Sequence, residues 1–235
     1  MGKTHPHPLM ELEPPGGQKR ILDALLSRFS WPVEEEFMCD SFEVVTDPAR
    51  QKHVVLWPRE NSRDMPPFTR YLHEMGHALL AETAHQQFSR PFFVRGTDPA
   101  LRNTYSAVFD TALDWYVQEL LMDIAPKIQG DDIDRRFTQT ARMLREGAAL
   151  PSVEFTMDAG LALATFQHLR GLAVKTQGRL HTVTQAFLRA APDKPSLFTL
   201  QSLARRLVEA SGMHTASLKQ EKSFEHWQIK PLTRG

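Results

Sequence analysis

With 235 residues, 41% of them hydrophobic and 24% charged, the chain has the composition of an ordinary globular protein and the length for one substantial core or two small lobes around a cleft. Its 28 Lys and Arg balance 28 Asp and Glu, so no global field draws it to nucleic acid or to an anionic membrane. The single cysteine, Cys39, rules out an intrachain disulfide and a cysteine-rich structural zinc site, and no run approaches the roughly 18 apolar residues of a membrane helix.

Residues 1–17 are rich in Pro and Gly, with His5 and His7 set among prolines, and read as a flexible arm. They lack the apolar stretch of a signal peptide, which makes the cytoplasm the expected location. From Gln18 to Phe29, Ile21, Leu22, Leu25, Leu26 and Phe29 recur at helical spacing, so a helix is predicted that stops before Pro32. FMCDSFEVV and KHVVLWP, at 37–45 and 52–58, are β-favouring runs around the turn-like TDPARQ, and predict two strands, as in a hairpin. Almost everything after them is helical in pattern. A helix runs from Asp98 to about Ile124, and after a break at PKIQGDD (126–132) four more follow, at roughly 132–148, 156–173, 179–191 and 196–211. The expected fold is therefore mainly helical α+β. Its divisions are an arm (1–17), a metal-binding lobe (18–125), a helical C-terminal lobe (126–225) packed on it, and a tail (226–235).

The chemistry concentrates in RYLHEMGHALLAE (70–82), which contains HExxH. On a helix, His73 and His77 project from one face one turn apart, as two corners of a zinc tetrahedron require. Glu74 stands about 100° around the helix from His73, where it reaches the water-occupied position and not the metal itself. Zinc lowers the pKa of such a water towards neutrality, and the carboxylate takes its proton as the carbonyl is attacked. Asp64 suits an N-cap, and Pro66 and Pro67 suit the first turn. Gly76 costs about 1 kcal/mol in a helix interior, so it points to close packing there, with a strand as the first neighbour to expect.

Two histidines seldom hold catalytic zinc alone. A metzincin histidine is ruled out, since Thr83 occupies its position and Leu80 that of the preceding glycine. His85 lies about 12 Å along the helix from His77, and Glu82 points away from the histidine face. Asp98, followed by Pro99, is an N-cap. That leaves the following helix, where Asn103, Ser106, Asp110 and Asp114 form a polar line amid apolar residues. Carboxylates in such surroundings need a partner, and a cation with its histidine ligands is one. Asp110 is assigned as third ligand and Asp114 as the acceptor that orients His73; exchanged roles fit the same spacing, as does Glu119 with a different register.

With HEMGH on one helix and Asp110-Thr-Ala-Leu-Asp114 on a later one, the chain resembles the gluzincin branch of the zincin metallopeptidases over roughly residues 40–124. Gluzincins carry Glu-x-x-x-Asp at the downstream position, so here an aspartate replaces the ligand glutamate. The GTxDxxYG motif of aspzincins is matched only in part by GTDPALRNTY (96–105). The resemblance implies a zincin-like sheet before the HExxH helix, whose strands would wall the cleft and pair with an extended peptide. It also implies an oxyanion partner opposite Glu74, for which Tyr105, Tyr116, His168 and His181 are in view. The expected function is a zinc-dependent hydrolase, a metallopeptidase acting on a peptide or protein. The alternative is a non-catalytic, metal-stabilised interaction module, its site closed by a side chain such as His168 or Cys39.

Overall fold

The computed structural model describes residues 17–59, 65–147, 152–221 and 224–232. Among them the fold is mainly helical α+β, in the order α1 (Gln18–Leu26), β1 (Val33–Cys39), β2 (Glu43–Asp47), β3 (Lys52–Pro58), α2 (Phe68–Thr83), α3 (Pro99–Ile124), α4 (Pro126–Arg145), α5 (Val153–Arg170), α6 (Gly178–Leu188), α7 (Leu197–Ser211), β4 (His214–Glu221) and β5 (Phe224–Pro231). No helix among the described residues is long and apolar enough to cross a membrane.

β3 is the middle strand of the first sheet, in the order β1-β3-β2, parallel to β1 and antiparallel to β2. Its run KHVVLWP is buried along most of its length, as expected for a strand paired on both edges. The predicted hairpin is therefore present between β2 and β3, but FMCDSFEVV divides between two strands. The first of these begins earlier, at Val33, and runs through three glutamates that are poor strand formers. Pairing with β3 overrides that preference, and Trp57 donates its indole N–H to Glu35 at 3.2 Å. The sheet packs on α2 through Trp57, whose ring stacks on Tyr71 at 5.6 Å.

α2 begins at Phe68 after an extended Pro67, so Pro66 and Pro67 precede the helix instead of forming its first turn; Asp64 and residues 1–16 lie outside the described residues. α3 is apolar on nearly all sides, as befits a central helix, and its start follows the predicted cap: Asp98 accepts from the Ala100 N–H at 2.8 Å with Pro99 in the first turn. The close approach signalled by Gly76 is made to this helix and not to a strand. A Cβ on Gly76 would come within 2.8 Å of Val117 Cγ1.

The four helices of the second half are present, and two expectations there are corrected. The expected break at 126–132 is helical, because Pro126 occupies a first-turn position where its missing N–H costs nothing, and Gly130 gives room to the Arg170 guanidinium, which donates to its carbonyl. The second correction concerns residues 226–231. They belong to β5, which forms a hairpin with β4. Trp227 is buried in the same hydrophobic cluster as Leu22, Trp57 and Trp115. β5 also reaches the segment after α2: Trp227 donates to the Phe92 carbonyl at 2.6 Å and accepts from the Val94 N–H at 2.9 Å.

Candidate metal site

α2 and α3 pack against each other where Gly76 removes a side chain, and this approach brings three donors together. His73 Nε2 lies 3.0 Å from Asp114 Oδ1, His77 Nε2 lies 3.2 Å from the same oxygen, and the two Nε2 atoms are 3.1 Å apart. In a tetrahedral site with bonds of 2.0–2.1 Å, neighbouring donors stand about 3.3 Å apart. The trio is thus close to the spacing a metal ion needs, and its two-imidazole, one-carboxylate chemistry suits a divalent cation.

The aspartate in this trio is Asp114, where the sequence placed Asp110. Both stand on one face of α3, one turn apart, and both line the same cleft, but the axial fit of α3 against α2 sets Asp114 opposite the histidines. Burial opposes ionisation of Asp114, yet the attraction of His73 and hydrogen bonds from both imidazoles outweigh it and hold the carboxyl well below the usual range. Burial likewise disfavours the charged form of His77, and hydrogen bonding to Asp114 outweighs it, so its pKa is raised. Asp110 behaves in the opposite way: partial removal from water and the charge of Asp114 push its carboxyl up to about 6. Glu119 is turned elsewhere and meets His168 at 3.2 Å.

The orientation of His77 comes from a group the sequence reading missed. Its Nδ1 donates to the Phe88 carbonyl at 3.1 Å, so Nε2 is the nitrogen turned towards the trio and the one that would meet a metal. Phe88 ends a short 3₁₀ turn (Gln86–Phe88) capped by His85, whose ring accepts from the Gln87 N–H. No sequence signal marks such a partner, since every residue carries a carbonyl.

The trio opens on a cleft of about 350 Å³. Glu74 lines it beside the histidines; β2, from Glu43 to Thr46, forms one wall; Ser89 and Arg90 complete the rim. Four carboxylates, those of Glu43, Glu74, Asp110 and Asp114, face one guanidinium, that of Arg90, so the cleft is strongly acidic and favours a cation. Arg90 lies 4.0 Å from Glu43 and over the Phe92 ring.

None of the four residues in view as oxyanion partners lines this cleft. Tyr105 bonds to His214 at 2.8 Å, Tyr116 is buried against Phe88, His168 is paired with Glu119, and His181 meets Thr176 at 3.1 Å. Cys39 ends β1 with only weak contacts to the Glu36 and Phe37 carbonyls, away from the trio. No known protein family and no curated protein sequence matches the chain.

Proposed function

We propose that this chain is a zinc-dependent hydrolase acting on amide bonds, a metallopeptidase of the zincin type, in which His73, His77 and Asp114 hold the ion. The observation that carries the proposal is the convergence of two Nε2 atoms and one carboxylate oxygen at a cleft that Glu74 also lines. Zinc at such a site would supply Lewis acidity and lower the pKa of a bound water to about 7.

The remaining roles fall to the chain's own groups. Glu74 is the base that takes the proton of the attacking water and passes it to the leaving nitrogen. Asp114 would be the third ligand, through the oxygen that lies nearest both imidazoles, while the Phe88 carbonyl fixes the tautomer of His77. Arg90, the cation of the cleft wall, is the group to meet the negative charge that develops on the carbonyl oxygen. β2 is paired on one side with β3 and is the outer strand of its sheet, so its other edge can align an extended peptide along the cleft.

The non-catalytic alternative requires a fourth protein donor that closes the site, and the described residues offer three. A cytoplasmic location belongs to the same proposal. The test is a metal analysis joined to a peptide-library assay. One zinc per chain is expected, with hydrolysis in the wild type and zinc without hydrolysis in Glu74→Gln. A folded, zinc-replete protein that cleaves nothing would sink the proposal.

A further inference from the structure

Next to the acidic cleft lies a second cavity, of about 200 Å³, and His73 forms part of both linings. It continues the candidate metal site one turn along the same two helices. Arg70 precedes His73 by three residues on α2, and Gln118 follows Asp114 by four on α3. A turn is about 5.4 Å, so the cavity opens roughly that far from the donor trio. α4 closes it with Gln129, Asp132, Arg135 and Arg136.

The lining sets hydrogen-bonding groups among the apolar Leu72, Leu121, Ala125 and Ile128. Gln118 is 4% exposed and Gln129 is 8% exposed. The Gln118 carbonyl accepts from the Thr165 hydroxyl at 2.6 Å, which turns its amide nitrogen away from that bond. The Gln129 side chain has no protein partner among the described residues, so its amide is left to the cavity. An oxygen atom placed in the cavity would give this amide a hydrogen-bond partner.

Three guanidinium groups join these amides. Arg70 is held over the Phe42 ring at 5.6 Å; Arg135 and Arg136 both pair with Asp132, the latter at 2.8 Å. Three positive charges against the one carboxylate of Asp132 leave the lining about two units positive. Asp158 of α5 acts on Arg136 from a neighbouring groove. The acidic cleft, one turn away, carries the opposite sign.

We propose that this cavity is a specificity pocket for a carboxylate of the substrate, either an acidic side chain beside the scissile bond or the free C-terminus of a peptide. The inference rests on the assignment of the adjoining site as a peptide-cleaving centre. An extended peptide advances about 3.4 Å per residue, so the pocket receives a group one or two residues from the bond held at His73 and His77. Guanidinium forks match the planar carboxylate, and the two amides complete its hydrogen bonds.

The test uses three capped peptides of equal length that differ only at the last position: alanine amide, alanine with a free carboxylate, and glutamate amide. Each is titrated into the full chain of the Glu74→Gln variant, both zinc-loaded and metal-stripped. One carboxylate peptide is expected to bind about tenfold or more tighter than the neutral one in both forms, and which of the two it is identifies the source of the carboxylate. In Arg135→Gln/Arg136→Gln, and independently in Arg70→Gln, that preference should shrink towards parity while circular dichroism stays native. Equal affinity for all three peptides, or a preference that survives every arginine change, overturns the proposal. Hydrolysis by the zinc-loaded wild type separates the two inferences. A carboxylate preference without cleavage of any peptide removes the hydrolase and keeps the pocket, whereas cleavage with equal kcat/KM for all three removes the pocket and keeps the hydrolase.

Discussion

Helix α2 takes part in two histidine–carboxylate groupings. At its C-terminal end Glu82 meets His53 of β3 at 3.1 Å, with side chains 4% and 0% exposed. Each polar atom there has a partner: Thr46 bonds the other imidazole nitrogen at 3.0 Å, and the second oxygen of Glu82 accepts the Ser30 N–H at 2.6 Å and the Trp31 N–H at 3.3 Å. Trp31 stacks on the ring and Phe29 meets it edge-on. One turn and a half earlier, His73, His77 and Asp114 are 26%, 12% and 23% exposed, and three donor atoms point at one another beside a cleft. The side-chain chemistry is alike, yet the first grouping is sealed in the core with a partner for each polar atom, whereas the second is part-exposed at a cleft and leaves the other oxygen of Asp114 without a partner among the described residues. Burial and completeness of pairing, more than residue identity, separate a group that fastens the fold from one able to take a ligand.

The largest effect should come from removing the proposed base at the open site. Glu74→Gln is expected to lower kcat/KM by up to about 10⁴-fold while zinc content stays at one per chain, measured by peptide cleavage and metal analysis. At the closed grouping, Glu82→Ala leaves the buried His53 and two backbone N–H groups unpaired. It should cost about 3 kcal/mol in denaturant unfolding and leave zinc stoichiometry intact; loss of zinc with full stability would reverse the contrast. Asp114→Asn should weaken zinc by about 10²-fold in competition with a chromophoric chelator, against less than about tenfold for Asp110→Asn. If the two aspartates exchange these effects, the register drawn between α2 and α3 is incorrect.

Smaller effects follow from packing and from protons. Gly76→Ala pushes a methyl against Val117 and should cost about 2 kcal/mol, visible as an earlier unfolding midpoint and a weaker zinc affinity. Burial lowers the pKa of His53 even though Glu82 works to raise it. Above about pH 6.5 the ring is neutral in both folded and unfolded chains and contributes nothing. As pH falls through 6.5 the unfolded chain takes up the proton first, so stability declines until the pH passes the lowered folded value. A titration of unfolding free energy that showed stability rising over that window would contradict this assignment.

Much of the contrast was open to sequence reasoning, and its limits are physical. HExxH spacing fixes which face of α2 carries His73 and His77, and the Asp98-Pro99 pair fixes where α3 begins. The same spacing places Asp110 and Asp114 on one face of α3 but says nothing of how far one helix slides along the other. Gly76 against Val117 and Leu121 decides that, and with it the third donor. The C-terminal hairpin was illegible because HTASLKQE and FEHWQIKP are mostly half-exposed and polar, with Ala216 and Trp227 as their fully buried positions, so neither shows a clear alternation. The glutamates of β1 hid a strand in the same way, since pairing with β3 and not local preference makes it one. The closed grouping of His53 and Glu82 joins residues 29 positions apart, and no spacing rule links a strand residue to a helix residue.

The hairpin at the end of the chain also has a consequence in time. The loop whose Phe88 carbonyl holds His77 is itself held by β5: the Gln87 amide donates to the Glu225 carbonyl 138 residues later, and Phe92 and Val94 bond to Trp227. At a synthesis rate of about 5–20 residues per second, a nascent chain carries both histidines for roughly 8 to 30 seconds before the strand that braces their loop is made. During that interval the site lacks its last support, so full assembly waits until translation has passed Trp227.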